Sequence, residues 1–532
     1  MIYSYRESAD MELVHKRGVC VMMEEMWLKT YRDEIDAFSE KIAAFQRGEI
    51  EKKDYKGVSG GFGTYAQRDS SKHMLRLRLP GGKLTVQQLK FISEAVGAYD
   101  VKRLKLTTCE SIQMHDLDAH QVTPILSGAI SCGIISRGGG GDNPRNVMCS
   151  PLSGVQEGEA FDVMPYAEAA TKYCLSICRD IHMPRKLKIA FSNGAEDSVH
   201  TAFRDMGFRA QADGTFALSI CGGLGNNHRM GVLVDEAVKP SEVFYYIKGM
   251  IDTFCAHGNY QNRAKARTRY LQEILGERLK DTYLANVAAA KAVGGLDLEI
   301  APVAVTKAGE GEIADSRVIP QKQKGLYAVK YHPIGGDLPV GKAAELYQML
   351  RDMKDVECRI GPHETMYIIN LTAAEAEKVL ASTADGAVTG FEYSSSCIGA
   401  SICQQGVRDS QALLKTCIAA VREAGVADGA LPKIVVSGCV SSCAAHQVGA
   451  IGFQGTVKVV DGKPQPAFKL FLNGSDALGE AKFGEGGPII LEQDIPTMLV
   501  ELGSAASADG MNWAQWSREK ADALQEIVSK YA

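Results

Sequence analysis

Four cysteines in the C-terminal part of the chain have the residue type and the spacing to hold one inorganic centre. Cys397 and Cys403 lie in CIGASIC, and Cys439 and Cys443 lie in CVSSC, which gives C-x5-C followed by C-x3-C. Thiolates bind both zinc and iron–sulfur clusters. Paired cysteines of a zinc site usually enclose two to four residues, which C-x5-C does not match. From spacing alone a cluster, a zinc ion and small buried side chains without metal all stay open.

Two short segments with alternating pattern carry a second set of candidate residues. In MLRLRLP, period-two alternation places Arg76 and Arg78 on one face of a strand and leucines on the other. In RKLKIAF, Lys186 and Lys188 share a face in the same way. One such face is typical of an exposed sheet edge. Two of them in a slightly acidic chain favour a cavity for an anion, because Arg and Lys hold carboxylates and oxyanions.

Length and composition indicate a globular protein of several domains. The chain has 532 residues, 45% of them hydrophobic and 23% charged. Its formal charge of −5 argues against nucleic acid or an anionic membrane surface as a partner. No apolar signal region and no run of about 18 apolar residues occurs. We therefore expect a soluble, cytoplasmic protein whose cysteines are reduced filler, reactive thiols or metal ligands.

An internal repeat predicts the elements that position these residues. Segments that start with MLRLRLPGG and LYAVKYHPIGG each contain a strand, a Pro and Gly-Gly turn, a helix and a second strand. Gly82 and Glu110 are 110 − 82 = 28 residues apart, and Gly336 and Glu364 are 364 − 336 = 28 apart. Agreement of pattern, turn and interval indicates a duplication. Two copies predict a pseudo-two-fold pair of βαβ-type half-domains.

Alternation of predicted strands and helices along the chain gives the fold class as α+β, that is, mixed α/β. The expected division is a helical extension, a first half-repeat, a first lobe, a second half-repeat and a second lobe. The boundaries that we expect are 1–60, 61–130, 131–310, 311–385 and 386–532.

The order of several motifs resembles the siroheme-dependent sulfite and nitrite reductases. The cysteine pairs are similar to the cluster signature of that family, and GTYAQR, LKLTTCESIQMH, NPRNVMCSPLSG, MPRKLK and GGLG occur in the family's order between residues 61 and 490. The resemblance implies duplicated ferredoxin-like half-domains with two α/β lobes that bind siroheme and a [4Fe–4S] cluster. It also implies six-electron reduction of sulfite to sulfide, or of nitrite to ammonia.

The resemblance implies roles for individual residues. The four cysteines would hold the [4Fe–4S] cluster, with Cys443 also bridging to the siroheme iron. The residues expected to bind the substrate anion and supply protons are Arg76, Arg145, Lys186 and Lys188. The residues expected to bind siroheme are Arg68, Arg78, Lys105, Gln113, Asn146, Gly222 and Gly223. A cationic pocket suits siroheme because this group is a polycarboxylate.

Some residues depart from the family's pattern. Cys109 and Glu110 stand where many relatives have Arg and Gln, and Val-Ser-Ser replaces the usual Pro-Asn inside the last cysteine pair. The run Gly138 to Gly141 has no assigned role. The K-x-K pattern at Lys188 is more typical of relatives that act on sulfite, so sulfite is the expected substrate and nitrite the alternative. A non-catalytic iron–sulfur or zinc protein is a second alternative.

The electron donor is expected to be external, because no G-x-G-x-x-G motif follows a predicted strand and no further cysteine module occurs. Ferredoxin is the expected donor, and a separate flavoprotein would leave the same sequence. The basic, helical-looking segment NRAKARTRY is a candidate docking surface. Its cations could equally be a solvated helix face or part of the anion pocket; they are Arg263, Lys265, Arg267 and Arg269.

Overall fold

The chain folds into five-stranded sheets with helices packed on their faces, which confirms the mixed α/β prediction. This computed structural model describes residues 4–301 and 304–532, with side chains from residue 25 onward. Four sheets occur in that range. No helix in the same range has the length and apolar character needed to cross a membrane.

Two helices precede the first sheet, α1 (Ser4–Gln46) and α2 (Lys52–Ser59). The C-terminal half of α1 packs on the first half-repeat through buried Tyr31, Ile35 and Phe38. The Phe38 ring stacks on Phe62 with 4.3 Å between centroids. This segment therefore belongs to the core that supports the site.

The first half-repeat and the first lobe follow in chain order. The elements of the half-repeat are β1 (Thr64–Ala66), β2 (Lys72–Leu77), β3 (Lys83–Leu84), α3 (Val86–Ala98), β4 (Arg103–Leu106), β5 (Ile112–Asp118) and α4 (Ala119–Ile130). The elements of the lobe are β6 (Met148–Cys149), α5 (Met164–Ile177), β7 (Ile189–Ser192), β8 (Met206–Ala210), β9 (Phe216–Ile220), β10 (Val232–Val238), α6 (Val243–His257), α7 (Leu271–Leu275) and α8 (Leu279–Val293).

The second half-repeat and the second lobe repeat this order. The half-repeat contains β11 (Val318–Pro320), β12 (Tyr327–Tyr331), β13 (Asp337–Leu338), α9 (Lys342–Leu350), β14 (Glu357–Ile360), β15 (Met366–Leu371) and α10 (Ala373–Ser382). The lobe contains β16 (Ser395–Ser396), α11 (Ser410–Glu423), β17 (Ile434–Ser437), β18 (Ile451–Val460), β19 (Lys463–Leu472), β20 (Glu485–Leu491), α12 (Ile495–Ala508), α13 (Trp513–Glu519) and α14 (Ala521–Lys530).

The two half-repeats exchange their short strands. Strand β3 of the first copy pairs with β14 of the second, at Lys83↔Arg359, and β13 of the second copy pairs with β4 of the first, at Asp337↔Lys105. The two pairs are equivalent, because 337 − 83 = 254 and 359 − 105 = 254. One hydrophobic core runs through both half-repeats. The predicted pseudo-two-fold duplication is thus confirmed and takes the form of a strand exchange.

The two lobes have the same sheet topology. In each lobe the first three strands are parallel and the last two antiparallel, in the orders β6-β7-β8-β9-β10 and β16-β17-β18-β19-β20. The pairs Ile189↔Met206 and Ile434↔Ile451 are equivalent, because 434 − 189 = 245 and 451 − 206 = 245. Each lobe has a core of its own. The cysteine loop after β17 therefore has a counterpart after β7.

The strand exchange predicts that replacing Gly82 by Ala destabilises the protein, whereas the same replacement at Gly97 does not. Gly82 has φ +71°, and a Cβ there would overlap the carbonyl oxygen of Ile360 in the other copy. Gly97 lies in α3 with nothing within 4 Å of its Cβ position. Gly82→Ala should lower the free energy of unfolding by about 3 kcal/mol through backbone strain and overpacking. Gly97→Ala should raise it by up to about 1 kcal/mol through helix propensity.

Urea-induced unfolding of the two variants measures both changes. Equal stability of Gly82→Ala and the wild type would contradict the close approach of the two copies.

Candidate active site

The two cysteine pairs lie on adjoining loops, the first after β16 and the second after β17. The Gly438 amide donates a hydrogen bond to Cys397 Sγ at 3.1 Å. The Gly438 carbonyl accepts hydrogen bonds from the amides of Val407 and Arg408, both at 2.9 Å. The loop that carries the first pair is therefore bound to the residue that precedes Cys439, and the structure brings both pairs together.

The spacing of the four sulfurs does not match a single zinc ion. No three of them lie within 4.8 Å of one another. Around one zinc ion the sulfurs would be about 3.8 Å apart, given Zn–S bonds of about 2.3 Å in a tetrahedron. A four-iron cluster separates its ligands further, because each sulfur binds a different iron. The donor set thus fits the [4Fe–4S] group that the sequence predicts.

Cys443 is exposed to solvent although protein surrounds it. Desolvation by that protein raises the pKa of its thiol to about 12, and exposure together with desolvation indicates a hollow beside the thiol. Thr108 Oγ1 donates to the Cys443 carbonyl at 2.6 Å. Gln447, from the same loop, exchanges two hydrogen bonds with Gly225 of the GGLG segment, at 2.9 and 2.8 Å. Segments from the first half-repeat and from both lobes therefore meet at this thiol.

The cations predicted to bind the substrate come together beside the hollow. The guanidinium groups of Arg76 and Arg145 both donate to the carbonyl oxygen of Gly139. The amide of Arg145 donates to the Leu187 carbonyl at 2.8 Å, so its segment runs beside the one that carries Lys186 and Lys188. Leu187 is buried, and the lysines on either side of it are only partly buried. The alternation read from the sequence thus positions both lysines.

None of the four cations has a carboxylate partner among the side chains that the structure describes, whereas the neighbouring Arg185 and Arg267 each have one. Burial holds the pKa of Lys186 well below its usual range, with further lowering by Lys188, Arg267 and Arg145. Charges so placed are costly unless an anion compensates them. The arrangement therefore fits a pocket for a polycarboxylate and a small anion.

Cys109 is part of this cluster of cations. Lys188 Nζ donates to Cys109 Sγ at 3.3 Å. Burial alone would raise the pKa of the thiol, but Lys188, Arg204 and Arg76 together bring it down to about 6. A pKa of about 6 favours the thiolate at neutral pH, and this negative charge partly neutralises Lys188. Arg204 was not identified from the sequence, because no short motif marks it.

The run Gly138 to Gly141 forms a loop packed closely on the residues before β1. A Cβ on Gly140 would lie 2.5 Å from the Gly60 carbonyl oxygen, and one on Gly139 would lie 2.9 Å from that of Ser136. The amide of Gly141 donates to the Tyr65 hydroxyl at 2.7 Å. Only glycine allows this approach, which presents the Gly139 carbonyl to the two arginines.

Two of the residues predicted to bind siroheme have their charged groups bound to protein. Arg78 is buried and donates to the carbonyls of Arg137 and Arg145, at 2.9 and 2.8 Å. Lys105 is buried and forms an ion pair with Glu364 at 2.6 Å. Arg78 lies beyond the end of β2, so it leaves the exposed face that alternation predicts for it. In this structure both residues position backbone and side chains around the hollow.

The other residues predicted to bind siroheme lie around the hollow. Exposed Arg68 donates to the carbonyls of Cys403 and Gly406, at 3.3 and 2.7 Å. The amide of Gln113 lies between Arg76 Nη2 and His115 Nε2, at 2.7 and 3.1 Å. The remaining three residues contact the backbone of neighbouring turns. Asn146 donates to the carbonyls of Cys109 and Glu110. Gly222 and Gly223 lie in close backbone contacts.

The basic segment divides between the surface and the pocket. The predicted helix is broken into short 3-10 turns and α7, which ends at Gly276 with φ +56°. Arg263 and Lys265 are exposed. Arg267 pairs with buried Asp205, and buried Arg269 donates to the Leu224 carbonyl at 3.1 Å. Arg263 forms an ion pair with Asp142 at 2.7 Å, so Lys265 is the cation of this segment that has no protein partner among the described residues.

Comparison with known proteins supports the same family throughout. The model described as "Nitrite/Sulfite reductase ferredoxin-like half domain" matches residues 65–130, and "Nitrite and sulphite reductase 4Fe-4S domain" matches residues 140–279. A ferredoxin–nitrite reductase of Synechococcus elongatus is 26% identical over 457 residues, covering 81% of this chain and 85% of that protein. An assimilatory ferredoxin-dependent nitrite reductase of Haloferax mediterranei is 26% identical, covering 93% and 90%.

A solved structure shares the fold. The Mycobacterium tuberculosis NirA protein aligns with a TM-score of 0.75 at 21% sequence identity, covering 90% of this chain and 94% of that one. The four cysteines lie outside the two ranges that the family models match.

Asp205 holds the segments that carry Lys188 and Arg267 in place through hydrogen bonds. No motif in the sequence identified it. Its carboxylate accepts from the Lys188 amide at 2.8 Å, from Arg267 at 2.9 and 3.0 Å, and from the Thr268 hydroxyl. Asp205→Asn should lower the free energy of unfolding by about 3 kcal/mol, because it leaves the largely buried Arg267, 15% exposed, without a countercharge.

Urea-induced unfolding checks this cost, with Asp213→Asn in an exposed turn as the matched control. Both variants behaving like the wild type would show that Asp205 does not organise the pocket.

Proposed function

The chain belongs to the nitrite and sulphite reductase family, whose cofactors are siroheme and a [4Fe–4S] cluster, and on that premise we propose that it reduces nitrite to ammonia. Six electrons would come from an external, ferredoxin-type donor. One observation carries the proposal: four cations without carboxylate partners meet beside the thiol of Cys443. The relatives named above are ferredoxin-dependent nitrite reductases, which supports both the substrate and the donor.

The residues divide the work as follows in this proposal. Cys397, Cys403, Cys439 and Cys443 would hold the cluster, with Cys443 on the side of the siroheme pocket. When bound, the two cofactors would supply the electrons for the reduction. Arg76 and Arg145 neutralise the oxygens of the anion. Lys186 delivers protons, since a lowered pKa makes a lysine a better proton donor near neutral pH.

The charge of the pocket favours nitrite over sulfite. K-x-K at Lys186 and Lys188 predicts sulfite, but the Cys109 thiolate lies 3.3 Å from Lys188 Nζ and reduces its effective positive charge. Nitrite carries one negative charge, whereas sulfite carries up to two, so a weakened cation costs sulfite more. Sulfite remains the second candidate substrate because Lys188 itself is present.

Steady-state turnover of the purified holoenzyme with reduced methyl viologen tests the proposal. We expect kcat/KM for nitrite to exceed that for sulfite by at least about tenfold, which corresponds to about 1.4 kcal/mol. Cys109→Ser removes the thiolate and should raise the sulfite-to-nitrite ratio of kcat/KM. Cys132→Ser, away from the pocket, should leave the ratio unchanged.

A higher kcat/KM for sulfite in the wild type would reverse the substrate assignment. Absence of turnover with both anions, in protein with its full cofactor content, would refute the proposed reaction.

A further inference from the structure

A second cavity of about 210 Å³ lies where the first lobe, the second half-repeat and the second lobe meet. His200 comes from the loop after β7, His363 from the turn between β14 and β15, and Asp476 from the loop between β19 and β20. Lys433 also lines the cavity, just before β17. Three separate parts of the fold therefore contribute polar side chains to one place.

The duplication relates this cavity to the active site. Lys433 corresponds to Lys188, because 433 − 188 = 245 as for the paired strands of the two lobes. His363 corresponds to Cys109, because 363 − 109 = 254 as for the half-repeats. His200 and Ala445 are equivalent left-handed residues that each precede a 3-10 turn. The cavity is thus the pseudo-symmetric counterpart of the catalytic pocket.

The second cavity has no counterparts of the cysteines Cys439 and Cys443. By the same offset of 245, Cys439 and Cys443 correspond to Gly194 and Ser198, so no cluster can be held there. The polar side chains that line the second cavity instead include imidazole, carboxylate and ammonium groups. The chemistry available in the second cavity is therefore that of nitrogen and oxygen ligands.

The three ligand atoms have the spacing of a mononuclear metal site. Asp476 Oδ2 lies 2.9 Å from His200 Nε2 and 3.2 Å from His363 Nε2, and all three atoms lie within 4.8 Å of one another. Ligands at about 2.0 to 2.1 Å from a tetrahedral zinc ion are about 3.3 Å apart. Both separations that involve Asp476 are thus within about 0.4 Å of the spacing around a tetrahedral zinc ion. The four cysteines, by contrast, are too far apart for one ion.

Burial and charge also suit a metal. His200 is 3% exposed and lines the cavity. Its second ring nitrogen, Nδ1, has a long hydrogen bond of 3.5 Å with Arg204 Nη2. Lys433 has no ion pair or side-chain hydrogen bond within the described part of the chain. Its charge acts on the Asp476 carboxylate, and an anion at an open metal position would add to that compensation.

We propose that His200, His363 and Asp476 bind a divalent transition ion of the zinc class, with a fourth position open to the cavity. Two histidines and one carboxylate with an open position are a ligand set used by zinc and by non-haem iron. The site is independent of the anion that the catalytic pocket reduces.

Zinc binding to the purified holoenzyme tests the proposal. After dialysis against a chelator, the protein is titrated with ZnSO4 in a calorimeter, and retained zinc is counted by mass spectrometry after gel filtration. We expect about one zinc ion per chain in the wild type. His363→Gln and Asp476→Asn should each weaken binding at least about tenfold. His257→Gln, an exposed histidine at the end of α6, is the matched control and should bind like the wild type.

The iron content and the siroheme absorption of each variant show that it has folded with its cofactors. X-ray absorption at the zinc edge should show nitrogen and oxygen neighbours without sulfur. Absence of stoichiometric zinc in the wild type, unchanged affinity in His363→Gln, or sulfur neighbours would each overturn the proposal. Viologen-linked turnover is measured separately, so its failure would leave the zinc result intact.

Discussion

Positive charge gathered without protein carboxylates is the constraint on which the rest of the structure depends. Arg76, Arg145, Lys186 and Lys188 surround the hollow beside Cys443, and among the described side chains the Cys109 thiolate gives them partial compensation. Like charges in a low dielectric repel one another strongly. The surrounding protein must therefore hold them in place until anionic groups bind.

Buried polar contacts supply that support. Asp205 binds the Lys188 amide and pairs with Arg267. Arg78 donates hydrogen bonds to two loop carbonyls. The Gly139 carbonyl of the glycine run accepts from both Arg76 and Arg145. Each contact acts on a neighbour of the pocket instead of on the anion. This separation lets the pocket remain cationic while the groups behind it are satisfied.

Duplication explains why the protein has two cavities at equivalent positions, each lined by different side chains. A single half-repeat and lobe would form one set of strands and loops, and exchange of β3 and β13 locks two such sets together. The copy with cysteines holds a cluster-sized donor set, and the copy with His200 and His363 holds a smaller one. One scaffold thus presents two different chemistries at equivalent positions.

Short-range patterns in the sequence predicted much of this structure. Alternation located Arg76, Lys186 and Lys188, the Gly-Gly turns revealed the duplication, and the order of the motifs, through the family resemblance, indicated the cluster. Contacts between segments far apart in the sequence could not be predicted, because no local sequence pattern indicates them. Asp205 beside Arg267, Arg204 beside Cys109 and the strand exchange are of this kind. The inward turn of Arg78 follows from strand β2 ending one residue earlier.

The most direct test of the central claim is the cofactor content of Cys443→Ser, measured as iron per chain and as the absorption spectrum of the purified protein. The account predicts about five iron atoms per chain in the wild type, one siroheme iron and four in the cluster. It predicts loss of cluster iron and a shifted siroheme spectrum in the variant, while Cys255→Ser stays like the wild type. Full iron content and an unchanged spectrum in Cys443→Ser would contradict it.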